Sequence, residues 1–213
     1  MKIGVLGTGN VGKVLASAFI TLGPEVMMGS RSADNAAAME WKAGAGAKAS
    51  NGTFADAAQF GDIIVLATRG TSTGNVIDGA GAARFAGKVV IDTTNPLDFS
   101  TGRPRLAVGH TDSAGEQVQR KLPTARVVKA FNIVGTAQMF RPDFPGGPPD
   151  MFIAGNDADA KAKVTAILKE FGWDTIDLGG IESSRYLEPM CLVWVTYAAM
   201  VGSANHAFKL LRK

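Results

Sequence analysis

The hexapeptide Gly7-Thr8-Gly9-Asn10-Val11-Gly12 follows the apolar run Ile3-Gly4-Val5-Leu6 and precedes an amphipathic stretch from Lys13 to Leu22. Strand, glycine turn and helix in that order form the context in which G-x-G-x-x-G holds the pyrophosphate of a dinucleotide. Gly7 permits the tight turn, Gly9 lets a pyrophosphate approach the backbone, and Gly12 lets helix and strand pack closely. The phosphates then meet free N–H groups at a helix N-terminus. The same residues also begin a P-loop, G-x-x-x-x-G-K. There, however, the next residue is Val14, so no hydroxyl is available to hold Mg²⁺. Lys13 is therefore read as a solvated helix residue, and nucleotide hydrolysis is set aside.

The 213 residues suffice for one sizeable core, and 46% hydrophobic with 19% charged residues is ordinary globular composition. No run reaches the roughly 18 apolar residues of a membrane span. The N-terminus is expected to enter a strand directly, and no signal segment is expected. A single cysteine, Cys191, cannot form an intrachain disulfide and suits a reducing compartment, so a cytoplasmic location is expected. The net charge of +3 is spread thinly, with no basic patch interleaved with aromatics. Nucleic acid is not an expected partner; an anionic cofactor accounts for the basic balance.

Strand and helix patterns alternate along the chain. Buried-type strands are expected at Ile3–Leu6, Glu25–Gly29, Asp62–Thr68, Lys88–Asp92 and Arg126–Ala130, with others at Met151–Ala154 and Thr175–Asp177. Helices are expected at Lys13–Leu22, Ala33–Lys42, Thr53–Gln59 (capped by Thr53), Ser113–Leu122 and Asp157–Phe171. A last helical stretch, Ile181–Leu211, is expected to break near Pro189 and Gly202. Continuous apolar strands joined by helices predict an α/β fold: a Rossmann-like, doubly wound, mostly parallel sheet with a compact C-terminal α/β and helical extension. One domain is expected. Residues 1–123 form its dinucleotide-binding core, and residues 124–213 complete the sheet and an acceptor pocket. The loop Arg141–Pro149 reads as a connector, with a lid as the alternative.

The second strand ends Met28-Gly29-Ser30-Arg31-Ser32, with no carboxylate at the point that receives the ribose 2′-OH of NAD. A guanidinium flanked by hydroxyls suits a 2′-phosphate instead, which predicts NADP. Asp34 lies beyond the strand end. Further contacts are expected where later strands end: Thr68, Arg69 and Gly70; Thr93, Thr94 and Asn95; and Phe131 and Asn132. Three loops on one sheet edge would form a nicotinamide and substrate pocket.

GVLGTGNVGKVLA, EVMMGSR, DIIVLAT, VVIDTTNP and VVKAFN together resemble the NADPH:F420 oxidoreductase family, which is related to the NADPH oxidoreductase domain of the STEAP metalloreductases. The resemblance spans most of the chain. It implies hydride transfer between NADPH and the deazaflavin F420 or a flavin (FMN or FAD). It also implies an NADP site at Thr8, Gly9, Asn10, Val11, Ser30, Arg31, Thr68 and Asn132, and a homodimer. The chain departs from the F420-reducing pattern where Arg69-Gly70 replaces a proline and an aromatic, and where Asn35 replaces a basic residue. The identity of the acceptor stays open.

Hydride transfer to such a ring needs little acid–base chemistry, because the cofactors carry the reaction. The sequence offers only His110 and His206, and neither sits in a catalytic constellation. His110 is expected at the surface and His206 on the terminal helix. A hydrogen-bond donor at the acceptor ring would help, with Asn132 and Arg69 as candidates. No catalytic residue and no metal site is assigned. The apolar C-terminal helix, with Trp194 and Tyr197, is either core or a dimer face. The alternative to an enzyme is a non-catalytic NADP-binding sensor or scaffold.

Overall fold

A computed structural model describes all residues, 1–213. Its centre is an eight-stranded sheet built from β1 (Lys2–Leu6), β2 (Glu25–Ser30), β3 (Ala49–Thr53), β4 (Ile63–Leu66), β5 (Val89–Asp92), β8 (Arg126–Lys129), β9 (Asp150–Gly155) and β10 (Asp174–Asp177). The strand order is β10-β9-β8-β5-β4-β1-β2-β3. All neighbours pair in parallel except β8 and β9. Order reverses beside β1, which places the crevice at the C-terminal ends of β1, β2 and β4. This is the Rossmann-like α/β architecture expected from the alternating pattern.

The helices are α1 (Asn10–Thr21), α2 (Ala36–Ala45), α3 (Phe54–Phe60), α4 (Thr73–Ala80), α5 (Ala114–Lys121), α6 (Ala158–Glu170) and α7 (Ser184–Val201). β4 and β5 are buried along their whole length, because helices cover both faces. On one face, Phe19 of α1, Trp41 of α2 and Leu168 of α6 pack over Val5, Val65 and Ile91. Phe171 gathers Phe19, Phe131 and Phe140 around it at ring distances of 5.0, 5.5 and 5.1 Å. On the other face, Ala57 of α3, Ile77 of α4 and Val118 of α5 pack over Leu6, Ile64 and Val90. Thr53 caps α3 as expected. Its hydroxyl accepts from the Asp56 N–H, while the Asp56 carboxylate accepts from the Thr53 N–H, a reciprocal capping box.

Two expectations about the C-terminus are corrected. Pro189 does not break α7, which runs through it unbroken. Proline removes one helical hydrogen bond, and burial of Leu187, Glu188 and Cys191 on the inner face holds the turn. The helix ends at Gly202, whose left-handed φ of 65° terminates it. Residues 203–213 form a tail without helix or strand, so His206 lies off the helix. Its ring stacks on Trp194, with centroids 4.6 Å apart, and the Trp194 indole donates to the His206 carbonyl at 3.0 Å. The tail joins β9 through Asp150 N–H to Phe208 O at 2.9 Å.

A two-stranded antiparallel hairpin, β6 (Leu97–Asp98) and β7 (Arg105–Leu106), follows β5 and was not anticipated. Asp98 and Arg105 pair across it at 2.7 Å. No helix is long and apolar enough to cross a membrane.

Candidate functional site

The glycine turn sits at the end of β1, between the ends of β4 and β2. Gly7 has a φ of 130°, and a Cβ there would lie 2.3 Å from the Ala67 carbonyl, so only glycine fits. Gly12 is buried behind the turn, where a Cβ would come within 2.1 Å of the Gly7 carbonyl. Gly9 differs: a Cβ on it would meet nothing within 4 Å, because that side opens to the cleft. Gly9 is also the N-cap of α1. No side chain caps this helix, and its first turn holds no acidic residue. The first N–H groups of α1 and the positive end of its dipole are therefore free for an anion.

A cleft of three adjoining lobes surrounds this turn. The lobe at the glycine turn, about 510 Å³, is walled by Gly7 to Val11, Ser30, Arg31, Asn35, Phe54, Thr68 and Arg69. A second lobe of about 690 Å³ runs from Val11 and Thr68 past Thr93, Thr94 and Asn95 to the hairpin residues Leu97, Asp98 and Phe99. A third, about 750 Å³, lies between Arg31 and Phe54 on one side and Arg69, Ser72 and Val76 on the other. These volumes are those of small-molecule sites. Short hydrogen bonds hold the walls. Thr93 Oγ1 donates to Leu66 O at 2.8 Å, and Thr73 Oγ1 donates to Arg69 O at 3.1 Å.

Of the residues singled out from the sequence, Gly7, Thr8, Gly9, Asn10, Val11, Ser30, Arg31, Thr68, Arg69 and Asn95 meet on these walls. Three do not. Gly12 serves the packing behind the turn. The Ser32 hydroxyl turns to Asp34 and is absent from the walls. Asn132 is 2% exposed and lies beneath Asn95. Its amide donates to Asn95 Oδ1 at 3.0 Å and to Leu187 O at 2.9 Å. Lys13 pairs with Glu40 at 3.3 Å, away from the cleft. No residue of Arg141–Pro149 lines any lobe. That loop is instead tied to the C-terminal tail by Lys209 Nζ donating to Pro148 O at 2.7 Å.

A buried ionic cluster under the second lobe escaped the sequence reading. Lys129, fully buried, meets Asp92 at 2.8 Å and Glu188 at 2.9 Å, and donates to Thr94 O at 2.7 Å. Burial by itself pushes the ammonium pKa down, but the two carboxylates outweigh it and hold Lys129 above the usual lysine value. Glu188 also accepts from the Ala114 and Gly115 N–H groups at the start of α5. Asp92 accepts from both the N–H and the hydroxyl of Thr94. The cluster thus joins β5, β8, α5 and α7 to the loop that floors the lobe. A lysine in the apolar run Val127-Val128-Lys129-Ala130 was its one sequence signal. Burial pushes the neighbouring Cys191 thiol up to about 11, so it remains protonated at neutral pH.

Comparison with known proteins fits this geometry. The model of a family described as NADP oxidoreductase, coenzyme F420-dependent, matches residues 2–96. The F420-dependent NADP reductase of Methanothermobacter marburgensis is 33% identical over 202 residues, covering 88% of each protein. Metalloreductase STEAP3 of Rattus norvegicus is 28% identical over 196 residues, but this chain spans only 36% of its length. A solved structure of a putative F420-dependent NADP-reductase from Arthrobacter sp. FB24 superposes with a TM-score of 0.94 at 41% identity over both complete chains. An imine reductase of Streptomyces aurantiacus, 20% identical, shares the fold with a TM-score of 0.64, over 95% of this chain and 64% of its own.

Proposed function

This chain belongs to the coenzyme F420-dependent NADP oxidoreductase family and is an NADP-dependent oxidoreductase; from that premise we propose that it passes a hydride between NADP(H) and the deazaflavin F420. The observation that carries the proposal is the continuity of the cleft. One wall, Thr68-Arg69, borders the uncapped start of α1, the Arg31 lobe and the open lobe under the hairpin. A dinucleotide laid across β1 would leave the open lobe for a second ring.

In this reading Gly9, Asn10 and Val11 present N–H groups to the pyrophosphate. Ser30 and Arg31 meet the 2′-phosphate, with the guanidinium giving paired hydrogen bonds. Thr68 and Asn95 orient the nicotinamide end. NADP(H), when bound, supplies or takes the hydride itself. The chain positions the two rings and excludes water, and no side chain is asked to move a proton. Phe99, 58% exposed at the mouth of the open lobe, is placed to cover a planar acceptor. We further infer that two copies pair through α7. Its Tyr186, Val193, Tyr197, Met200 and Val201 are exposed apolar side chains on the helix that packs against β7.

The test is loss of NADPH absorbance with F420, FMN and FAD offered in turn. Turnover with F420 supports the proposal. Turnover with a flavin alone reassigns the acceptor. Tight NADPH binding with no turnover on any of the three leaves a non-catalytic binding module. Light scattering of the wild type and of Met200→Glu reads the oligomer, and a monomeric wild type removes the pairing.

A further inference from the structure

Arg69 lines all three lobes, the one residue besides Thr68 to do so, and the place where the lobes meet is where the phosphate bridge of a dinucleotide must pass. We propose that Arg69 binds that pyrophosphate, as the second jaw of a guanidinium clamp whose first jaw, Arg31, takes the 2′-phosphate. The inference rests on NADP(H) occupying the cleft, as proposed above. It narrows Arg69 to the phosphate bridge of the cofactor, rather than to the acceptor ring for which its place after β4 also makes it a candidate donor.

The sheet order sets the jaws. Arg31 follows β2 and Arg69 follows β4, and these strands flank β1 with its glycine turn. Both side chains are exposed, and neither has a carboxylate partner among the ion pairs of the chain. No acidic residue lines the lobe at the glycine turn or the third lobe beside it. Two unpaired guanidinium groups facing one cleft repel each other until an anion arrives.

Charge counting shows why one jaw is too few. A 2′-phosphorylated dinucleotide brings a doubly anionic bridge and a separate phosphate. The α1 terminus offers about half an elementary charge. Lys13, the cation nearest in sequence to the turn, is turned to Glu40. Asn35 is neutral, and its Oδ1 is engaged accepting the Ala38 N–H as the N-cap of α2, so it brings no charge to the lobe. Arg31 is matched by the 2′-phosphate, which leaves Arg69 as the remaining cation on the lobe at the glycine turn.

The experiment is titration calorimetry of wild type, Arg69→Ala and Arg69→Lys with NADPH, NADH and adenosine 2′-monophosphate, alongside KM for the acceptor. Loss of a charge-assisted contact predicts that Arg69→Ala weakens NADPH and NADH by the same factor, about 10- to 100-fold. Adenosine 2′-monophosphate, which lacks the bridge, binds it as it binds wild type, and Arg69→Lys recovers part of the loss. Unchanged dinucleotide affinity overturns the proposal. So does a loss confined to NADPH, which would make Arg69 a 2′-phosphate ligand, and so does a change confined to the acceptor KM. A wild type that binds neither dinucleotide overturns the functional reading instead. Because Arg69 is exposed, an unaltered thermal melt checks that the variants fold.

Discussion

Asn132 clasps Asn95 from below: the Asn132 amide donates to Asn95 Oδ1 at 3.0 Å, and the Asn95 amide returns a bond to the Asn132 carbonyl at 2.7 Å. Both hydrogen-bonding ends of the Asn95 side chain are thereby fixed where the loop after β5 floors the open lobe. From its 2% exposure, the expectation is that Asn132 acts through Asn95 rather than by touching a ligand. Asn132→Ala removes the bond to Asn95 Oδ1 and leaves only the one to the backbone carbonyl of residue 132; the loosened Asn95 amide is expected to lower kcat for hydride transfer about tenfold, with the KM for NADPH nearly unchanged, since misplacement at the reacting end costs rate. Steady-state kinetics separate the two. A raised NADPH KM at constant kcat would make Asn132 a direct cofactor ligand.

Gly9 and Gly12 occupy one motif but answer to different forces. Gly12→Ala drives a Cβ into the Gly7 carbonyl and is expected to lower the melting temperature substantially. Gly9→Ala has room and an ordinary φ of −76°. It should cost only about 1 kcal/mol, as alanine at an N-cap does, while weakening NADPH by tenfold or more. Melting curves beside dinucleotide titrations of both variants test the separation.

Arg31→Ala is expected to weaken NADPH by about 10- to 100-fold, the loss of a charge-assisted phosphate contact, and to leave NADH within about twofold. Fluorescence titration of each dinucleotide gives the ratio. Equal losses would detach Arg31 from the 2′-phosphate.

Lys129→Met leaves Asp92 and Glu188 buried without their cation. Breaking one side of such a cluster costs about 3–5 kcal/mol, which for a domain of this size is a fall of about 10 °C in melting temperature. Because the folded pKa of Lys129 is raised, its contribution is fully present below the ordinary lysine range. It is lost only as pH rises through the folded value. The gap between wild type and Lys129→Met should therefore stay constant from neutral to mildly alkaline pH in urea unfolding and narrow beyond that range.

Glu116 carries the opposite sign. The Arg185 guanidinium bonded to it, opposed by burial and helped by the Ser113 hydroxyl, holds its carboxyl below the usual value. Its contribution to joining α5 and α7 is present above the ordinary glutamate range and is lost as pH falls through the lowered value. Urea midpoints of wild type and Glu116→Gln should converge in acid and separate above the ordinary glutamate range.

Seven of the eight sheet strands, their mostly parallel pairing and the glycine turn were legible in the sequence because each is written in neighbouring residues; β3, Ala-Ser-Asn-Gly-Thr, carries no apolar run to mark it. Apolar runs mark buried strands, Thr53 and Asp157 mark helix starts, and the spacing from Gly7 to Gly12 marks a phosphate turn. The absence of a carboxylate at Ser30-Arg31 is local in the same way. The hairpin after β5 was missed because two-residue strands carry no periodicity. The helix break expected at Pro189 did not occur, because burial of its neighbours outweighs one lost hydrogen bond, an effect no local window contains.

Sequence by itself determined that this chain builds a doubly wound sheet with a G-x-G-x-x-G turn after β1 and a guanidinium, in place of a carboxylate, where β2 ends. Tertiary structure decided which polar residues line the cleft and which support them. It set Asn132 under Asn95, turned Ser32 to Asp34, and closed Lys129 between Asp92 and Glu188. These choices join residues 37 to 59 positions apart across the sheet, or turn on where a short side chain finds its partner. Burial and pairing at such distances are properties of the packed molecule, and adjacent residues do not encode them.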